Sequence, residues 1–128
     1  MSLLPDILAV RRSANESGHA VVLDLHLPAS LAYFPDHFPD LSLLPGVVQI
    51  DWAMRLAAVH HGVQPSHFAG MRALKFTAPV TPDTTLSLEL RLLPENATAG
   101  RKERRVEFAY VSAQKKYSSG QLLFTRET

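Results

Sequence analysis

The chain has 128 residues, which by the usual length prior is a single domain covering residues 1–128. Its 46% hydrophobic and 20% charged residues are typical of globular proteins, and the net charge of +1 argues against a nucleic-acid binder. The absence of cysteine excludes disulfides, cysteine-based zinc sites and a thiol nucleophile. No apolar run approaches the about 18–20 residues that span a bilayer, and the N-terminus lacks the order of a signal peptide. We therefore expect a cytoplasmic protein without membrane insertion.

The first predicted strand follows an ambiguous N-terminal segment. "LPDILAVRR", residues 4–12, is compatible with a short helix or an irregular apolar segment, and its pattern does not choose between them. "HAVVLDLHL", residues 19–27, alternates strictly, with its valines and leucines at 21, 23, 25 and 27 on one face. Such alternation predicts a half-buried strand. The prolines from Pro28 to Pro45 then predict an ordered loop without long regular structure.

One helix is predicted from Pro45 to a stop at Gly62. Proline suits the first helical position, and glycine is the usual residue just past a helix end. The segment is apolar on nearly every side, and the polar interruptions before its last turn are Gln49, Asp51 and Arg55. A helix of this kind must be covered all round. His60 and His61 in its last turn are expected to interact with the helix dipole.

The remainder of the chain reads as strands. Residues 71–80 and 84–93 are predicted strands that the turn "TPD" separates, and residues 94–103 are a predicted polar loop. Residues 104–113 form another predicted strand, and "KKYSSG" is a predicted turn into a last strand at 121–127. One buried helix followed by antiparallel strands predicts an α+β fold in which a curved sheet wraps the helix. Such a sheet has exposed edges, so we expect edge-to-edge dimerisation.

Two motifs carry a resemblance to a known family. "HFP" at 37–39, followed by "PGVVQID" at 45–51, resembles the hotdog-fold 3-hydroxyacyl-[acyl-carrier-protein] dehydratases of the FabA/FabZ type. "KFTAPVTPDTTL" at 75–86 resembles the strand–turn–strand motif of the same family. The chain departs from the family pattern at three positions: Asp36 replaces a glycine, Ser42 a proline, and Arg55 a glutamine. The fold implied is a hotdog, one long central helix wrapped by a curved antiparallel sheet.

The resemblance implies a 3-hydroxyacyl-[acyl-carrier-protein] dehydratase in fatty-acid or polyene-type biosynthesis. His37 would take the C2 proton, Asp51 would protonate the departing hydroxyl, and the Gly46 N–H would hold the thioester oxygen. Apolar surroundings favour the protonated form of a carboxyl group, which suits a proton donor as long as Arg55 points elsewhere. Further substrate-binding residues implied are Phe38, Val47, Trp52 and Arg55.

The partners implied are a substrate carried on acyl carrier protein or coenzyme A, and a second copy of the chain. In the family the histidine and the acid come from opposite subunits of a homodimer or higher oligomer. No metal and no organic cofactor are expected. The basic stretch "RKERR" at 101–105 is either a solvated surface or a docking site for the acidic carrier protein.

Less specific interpretations remain open. His37 has the alternative of a packed, hydrogen-bonded histidine, Asp51 that of a carboxylate neutralised by Arg55 one turn later, and Trp52 that of a core residue. At the level of function, the rivals are a hotdog acyl thioesterase and a non-catalytic hotdog subunit that binds acyl carrier protein, because a fold alone does not fix chemistry.

Overall fold

The computed structural model describes residues 4–15, 18–31, 43–98 and 100–127. His37 and Phe38 lie outside the described residues. The described residues form seven strands, one α-helix and a single 3-10 turn, in the following order: β1 (Asp6–Asn15), β2 (Gly18–Leu27), α1 (Gly46–His61), the 3-10 turn (Pro65–His67), β3 (Phe68–Phe76), β4 (Thr84–Leu92), β5 (Asn96–Thr98), β6 (Arg101–Val111) and β7 (Lys116–Glu127).

All strands belong to one antiparallel sheet. Its order is β1-β2-β4-β6-β7-β3, and the short β5 pairs with β6. One face of the sheet packs against α1, which buries Trp52 and Ala53 completely. The predicted α+β architecture, with one helix covered by an antiparallel sheet, is confirmed.

The strict alternation of β2 explains how the core forms. Its four inward valine and leucine side chains are at most 1% exposed. Leu23 and Leu25 lie opposite Leu88 and Leu86 of β4, which are equally inaccessible or nearly so. Burying one leucine side chain contributes on the order of 2 kcal/mol, so a one-residue slip in register would be strongly unfavourable.

The predictions for three segments were wrong. Residues 6–15 form strand β1 rather than a helix or an irregular segment, and they pair with β2 although all ten residues are exposed. The predicted loop at 94–103 contains β5 and the start of β6. The predicted turn "KKYSSG" lies almost entirely within β7. In each case backbone pairing to a neighbouring strand overrides a weak or polar local pattern.

The predicted end of the helix before Gly62 is confirmed, whereas Pro45 immediately precedes the helix and is not its first residue. Gly62 follows its last residue with φ 71°, and the Gly62 N–H donates to the Ala58 carbonyl at 3.2 Å, a left-handed C-terminal cap. The expected all-round coverage is not found in the single chain, because Val47 and Val59 are 72% and 73% exposed. Within the residues that the structure describes, no helix has both the length and the apolarity that crossing a bilayer requires.

Candidate functional site

A cleft lies in front of the helix N-terminus. It has a volume of about 390 Å³ and is lined by the segment that enters the helix, the first turn of α1 and the residues after β3: Leu43, Leu44, Gly46, Gln49, Phe76, Thr77, Ala78, Pro79 and Val80. The first N–H groups of a helix have no intrahelical acceptor, and the helix dipole favours negative charge beside them. This cleft can therefore stabilise an oxygen on which negative charge develops. Recesses of about 500 and 510 Å³ open elsewhere, but neither includes the helix N-terminus.

Gly46 is the first residue of the helix and borders the cleft. A β-carbon at this position would lie 2.8 Å from Cε1 of Phe76. That distance is shorter than real side-chain contacts allow, so the ring of Phe76 occupies the space that any larger residue would need. Glycine therefore lets the aromatic ring and the backbone N–H groups share one wall of the cleft.

Asp51 lies about one and a half turns beyond Gly46, on the outward face of the helix. Its carboxylate Oδ2 accepts a hydrogen bond from Nε of Arg55 at 2.8 Å. The two side chains are 45% and 65% exposed. In the single chain, two expectations are therefore wrong: the apolar helix does not bury Asp51, and Arg55 points toward Asp51 rather than away. The reason is that the helix covers one side only, and a four-residue spacing brings two exposed charged groups together.

These residues belong to one stripe along the helix. Val47, Asp51, Arg55 and Val59 follow at intervals of four and are all partly or largely exposed. We call this set the outer stripe. The structure thus brings Gly46, Val47, Asp51 and Arg55 together in the first turns of α1. Trp52 is fully buried, which agrees with the alternative interpretation of it as a core residue. The roles expected of His37 and Phe38 lie outside the described residues and stay predictions.

The opposite side of the same turns holds a buried polar network. Gln49 is 4% exposed, and its Nε2 donates to the Leu44 carbonyl at 3.2 Å. Its Oε1 accepts a hydrogen bond from Ser118 Oγ at 2.6 Å, and its backbone carbonyl accepts one from the Tyr110 hydroxyl at 2.6 Å. Burial, and then the nearby Asp51 carboxylate, raises the pKa of Tyr110 well above its ordinary value. We call Gln49, Ser118 and Tyr110 the buried network.

Sequence reasoning missed this network. In the sequence Gln49 is a polar interruption of the helix, and a single amide among apolar helix positions is a signal that it is buried and bonded. Ser118 and Tyr110 gave no such signal. Their contribution depends on β6 and β7 lying under the helix, which a local sequence pattern does not contain.

The two histidines at the helix end have hydrogen-bond partners outside the helix. Arg12 donates to the His60 carbonyl at 3.1 Å, and its Nη2 lies 3.1 Å from Nδ1 of the same histidine. The Nε2 of His61 lies 2.9 Å from the Leu90 carbonyl. Burial is the largest cause that lowers the pKa of each histidine, and the Arg12 charge adds to it. Both histidines lie in the last turn of the helix, and their interaction with the helix dipole stays a prediction.

The basic stretch at 101–105 contributes to a charged cluster at one end of the sheet. Lys102, Arg104 and Arg126 approach the Glu95 carboxylate at 4.0, 3.8 and 3.5 Å. We call these four residues the Glu95 cluster. It holds three cations against one carboxylate, and Nε of Arg104 is buried with no hydrogen-bond partner among the described residues. The cluster therefore keeps uncompensated positive charge.

Comparison with known sequences gives relatives that are described as dehydratases. The sequence model of the ApeI-like family, described as ApeI dehydratase, matches residues 13–121. The 3-hydroxyacyl-[acyl-carrier-protein] dehydratase FabZ of Desulforamulus reducens is 32% identical over 113 residues, which are 84% of this chain and 78% of that protein.

Two solved structures are similar over nearly the whole chain. An uncharacterized protein from Erwinia carotovora subsp. atroseptica aligns with a TM-score of 0.69 and 26% identity over 97% of both chains. A chain of the dehydratase heterocomplex ApeI:P from Xenorhabdus doucetiae aligns with a TM-score of 0.67 and 26% identity, over 94% of this chain and 98% of that one. These likenesses confirm the hotdog fold.

Proposed function

Because the chain belongs to the ApeI-like dehydratase family, we propose that it removes water from a 3-hydroxyacyl thioester and gives the trans-2-enoyl thioester. One observation carries the proposal: the free N–H end of α1 at Gly46 borders an open cleft, and the partly exposed carboxyl group of Asp51 lies within two turns of it on the same helix. These are the two groups that hold a thioester oxygen and supply a proton to a leaving hydroxyl. We place the reaction in fatty-acid or polyene-type chain elongation.

The proposed elimination needs three groups. His37 removes the proton from C2, and the electron pair forms the C2–C3 double bond while the bond from C3 to oxygen breaks. The protonated carboxyl group of Asp51 gives its proton to the departing hydroxyl, which leaves as water. Negative charge that develops on the thioester oxygen is held by the N–H groups at Gly46. Proton exchange with solvent then restores the base and the acid.

The ion pair with Arg55 opposes this role, because it binds the carboxylate form of Asp51. An exposed pair one helical turn apart contributes only about 0.3–0.5 kcal/mol. Contact of the outer stripe with a second chain and an acyl substrate is sufficient to break an interaction of that size. We therefore propose that Arg55 turns away from Asp51 in the assembled enzyme, while its predicted contact with the substrate stays a prediction.

The second chain is proposed to pair along β3. This strand pairs with β7 on one side, and its other edge has no strand partner among the described residues. Met71, Leu74 and Phe76 on it are 42%, 37% and 51% exposed. An edge strand with exposed apolar side chains is a site for strand pairing with another chain. A second copy of this chain is the partner we propose, and a related dehydratase chain, as in the ApeI:P heterocomplex, is the alternative that a mass measurement distinguishes.

Acyl carrier protein is the proposed substrate carrier, with coenzyme A as the alternative. The Glu95 cluster, with three cations to one acid, is the proposed docking surface for such an acidic protein. Replacing Lys102 and Arg126 with glutamate should raise KM for a carrier-borne substrate and leave KM for a short pantetheine thioester unchanged. Equal KM changes for both substrates would contradict the docking role. The cytoplasmic location stays a prediction.

Mass spectrometry of 3-hydroxyacyl-carrier substrates incubated with the wild-type protein tests the proposed function. Loss of one water from the acyl chain, dependent on enzyme concentration, is the expected result. Release of the free acid would instead identify an acyl thioesterase, and an unchanged substrate would favour a non-catalytic subunit. The reverse reaction, hydration of the enoyl thioester, gives a second readout on the same instrument.

A further inference from the structure

We propose that Gln49 is a positioning residue that fixes the helix N-terminus against the opposite wall of the cleft. This inference rests on the proposed function, because the role assigned to Gln49 is to hold the Gly46 N–H where a thioester oxygen would lie. It starts from the observation that all polar groups of the Gln49 side chain are buried and bonded, one to the chain before the helix and one to the sheet.

The first bond joins the segment that enters the helix to the first turns of the helix. Pro45 precedes the helix and supplies no side-chain hydrogen bond to it. Its carbonyl accepts the N–H groups of Val48 and Gln49 at 3.1 and 3.2 Å, while the preceding Leu44 carbonyl receives the amide of Gln49 instead. Leu44 is 3% exposed, so without this amide its carbonyl would be buried and unpaired. Gln49 thus ties the entering segment to the first turn from inside the helix.

The second bond links the helix to the strand that also holds the other cleft wall. Ser118 of β7 donates to Gln49 Oε1. The carbonyl of the preceding residue, Tyr117, accepts the N–H groups of Thr77 and Ala78 at 2.9 and 3.2 Å. Thr77 and Ala78 line the cleft opposite the helix. Two consecutive residues of β7 therefore bind the two walls of the cleft. Through Gln49, strand β7 fixes the distance between Gly46 and the opposite wall.

A packing role alone does not require an amide. Leucine or methionine fills a similar volume without the desolvation that a buried amide costs when it leaves water. The hydrogen-bond geometry adds what an apolar residue lacks, a fixed direction and distance between the helix and β7. Rates of reactions that depend on aligned groups are sensitive to displacements of about 1 Å.

Kinetics of Gln49→Met test the inference. We expect kcat for dehydration to fall about 10- to 100-fold while KM changes little, because misalignment affects the transition state more than substrate binding. Gln121→Met is the matched control: Gln121 is half-buried on β7 and bonded to Glu107 at 3.2 Å, away from the cleft, and its replacement should leave kcat unchanged. Ser118→Ala, which removes one anchor of Gln49, should give a smaller fall that is not additive with Gln49→Met.

Gln49→Glu provides a conservative rescue. A neutral carboxyl group can donate to the Leu44 carbonyl and accept from Ser118, whereas a carboxylate cannot donate. The variant should therefore recover kcat at low pH relative to Gln49→Met and lose it as pH rises. A residue with a packing role alone would lower thermal stability in these variants without this pH-dependent recovery.

Hydrogen exchange of the backbone amides at residues 43–49 gives a readout that needs no activity. Gln49→Met should speed exchange of the Leu44 N–H, which donates to Val80 at 2.8 Å, and Gln121→Met should not. If the wild-type protein dehydrates no substrate, the proposed function fails. The difference in exchange between wild type and Gln49→Met would still measure how firmly Gln49 holds the segment before the helix. Wild-type exchange and wild-type kcat in a folded Gln49→Met protein would overturn the inference.

Discussion

Gln49 and Asp51 are two residues apart on one helix and lie in opposite environments. Gln49 is 4% exposed, and every polar group of its side chain is hydrogen-bonded. The Asp51 side chain is 45% exposed, and it pairs with an exposed arginine, Arg55, one helical turn away. Positions two apart on a helix point to opposite faces. The buried polar group fixes geometry, and the exposed one is free to exchange protons and partners. Under the proposed function these are separate requirements, which the helix would meet on separate faces.

Removing the acid from the exposed face should have the largest effect. Asp51→Asn is expected to lower the dehydration rate at least about 100-fold, the contribution of a positioned general acid, while the melting temperature changes little because the lost ion pair is exposed. Asp24→Asn is the matched control, since Asp24 also pairs with an arginine, Arg11, at 2.8 Å. Initial rates and thermal melts measure both variants. A folded Asp51→Asn protein with more than half of the wild-type rate would rule out the donor role.

Breaking the proposed dimer should come next. Wild type is expected to be a dimer at micromolar concentration by light scattering, because both Asp51 and the apolar residues of β3 need a covering chain. Met71→Lys, which places a charge on the exposed β3 edge, should shift the protein toward a monomer and reduce activity. Leu8→Lys on β1, at the opposite edge of the sheet, is the control and should stay dimeric. A monomeric wild type would contradict the edge-pairing model.

Weakening the buried side should cost stability. Tyr110→Phe removes the bond to the Gln49 carbonyl and is expected to lower the free energy of unfolding by about 1–2 kcal/mol in urea melts. Tyr117→Phe is the control, because the Tyr117 hydroxyl makes no hydrogen bond within the described part of the chain. This substitution should change the free energy of unfolding less. Since folding raises the pKa of Tyr110, its contribution is present below pH 10 and is lost as pH rises beyond that value. Tyr110→Phe should lack this alkaline loss, and equal loss in both proteins would contradict the assigned burial.

The smallest effect is expected for Arg55→Gln. The exposed ion pair is worth no more than about 0.5 kcal/mol, so stability should stay within that range. Dehydration should be unchanged if Arg55 already points away from Asp51 in the assembled enzyme, and faster if part of the ion pair persists there. The glutamine is also the residue that the family often carries at this position. If a folded Arg55→Gln protein lost activity, Arg55 would be part of the chemistry and the donor role of Asp51 would have to be withdrawn.

The sequence predicted those elements whose signal is local. These elements include the alternating strands β2 and β4, and the helix that starts at Gly46 and ends before Gly62. They follow from residue spacing and from the conformational preferences of glycine and proline. Strand β1 was missed because its residues are exposed on both faces and its existence depends on pairing with β2. The same limit applies to β5, whose three residues form a strand only beside β6.

The candidate site divides in the same way. Gly46 and Asp51 follow from the motif and its spacing, and the structure brings them to one end of the helix. The orientation of Arg55 did not follow, because it depends on whether the outer stripe is covered. The partners of Gln49 did not follow either, since Ser118 and Tyr110 are more than sixty residues away in the chain.

Mixing two inactive variants tests most directly whether the exposed face of the helix becomes an active site when two chains pair. His37→Ala and Asp51→Asn are each expected to be folded and inactive. If the histidine and the acid meet across the interface, heterodimers contain one site with both groups intact, and an equal mixture after subunit exchange should regain roughly a quarter of the wild-type rate. No recovery in a mixture whose exchange has been verified by native mass spectrometry would contradict the shared site.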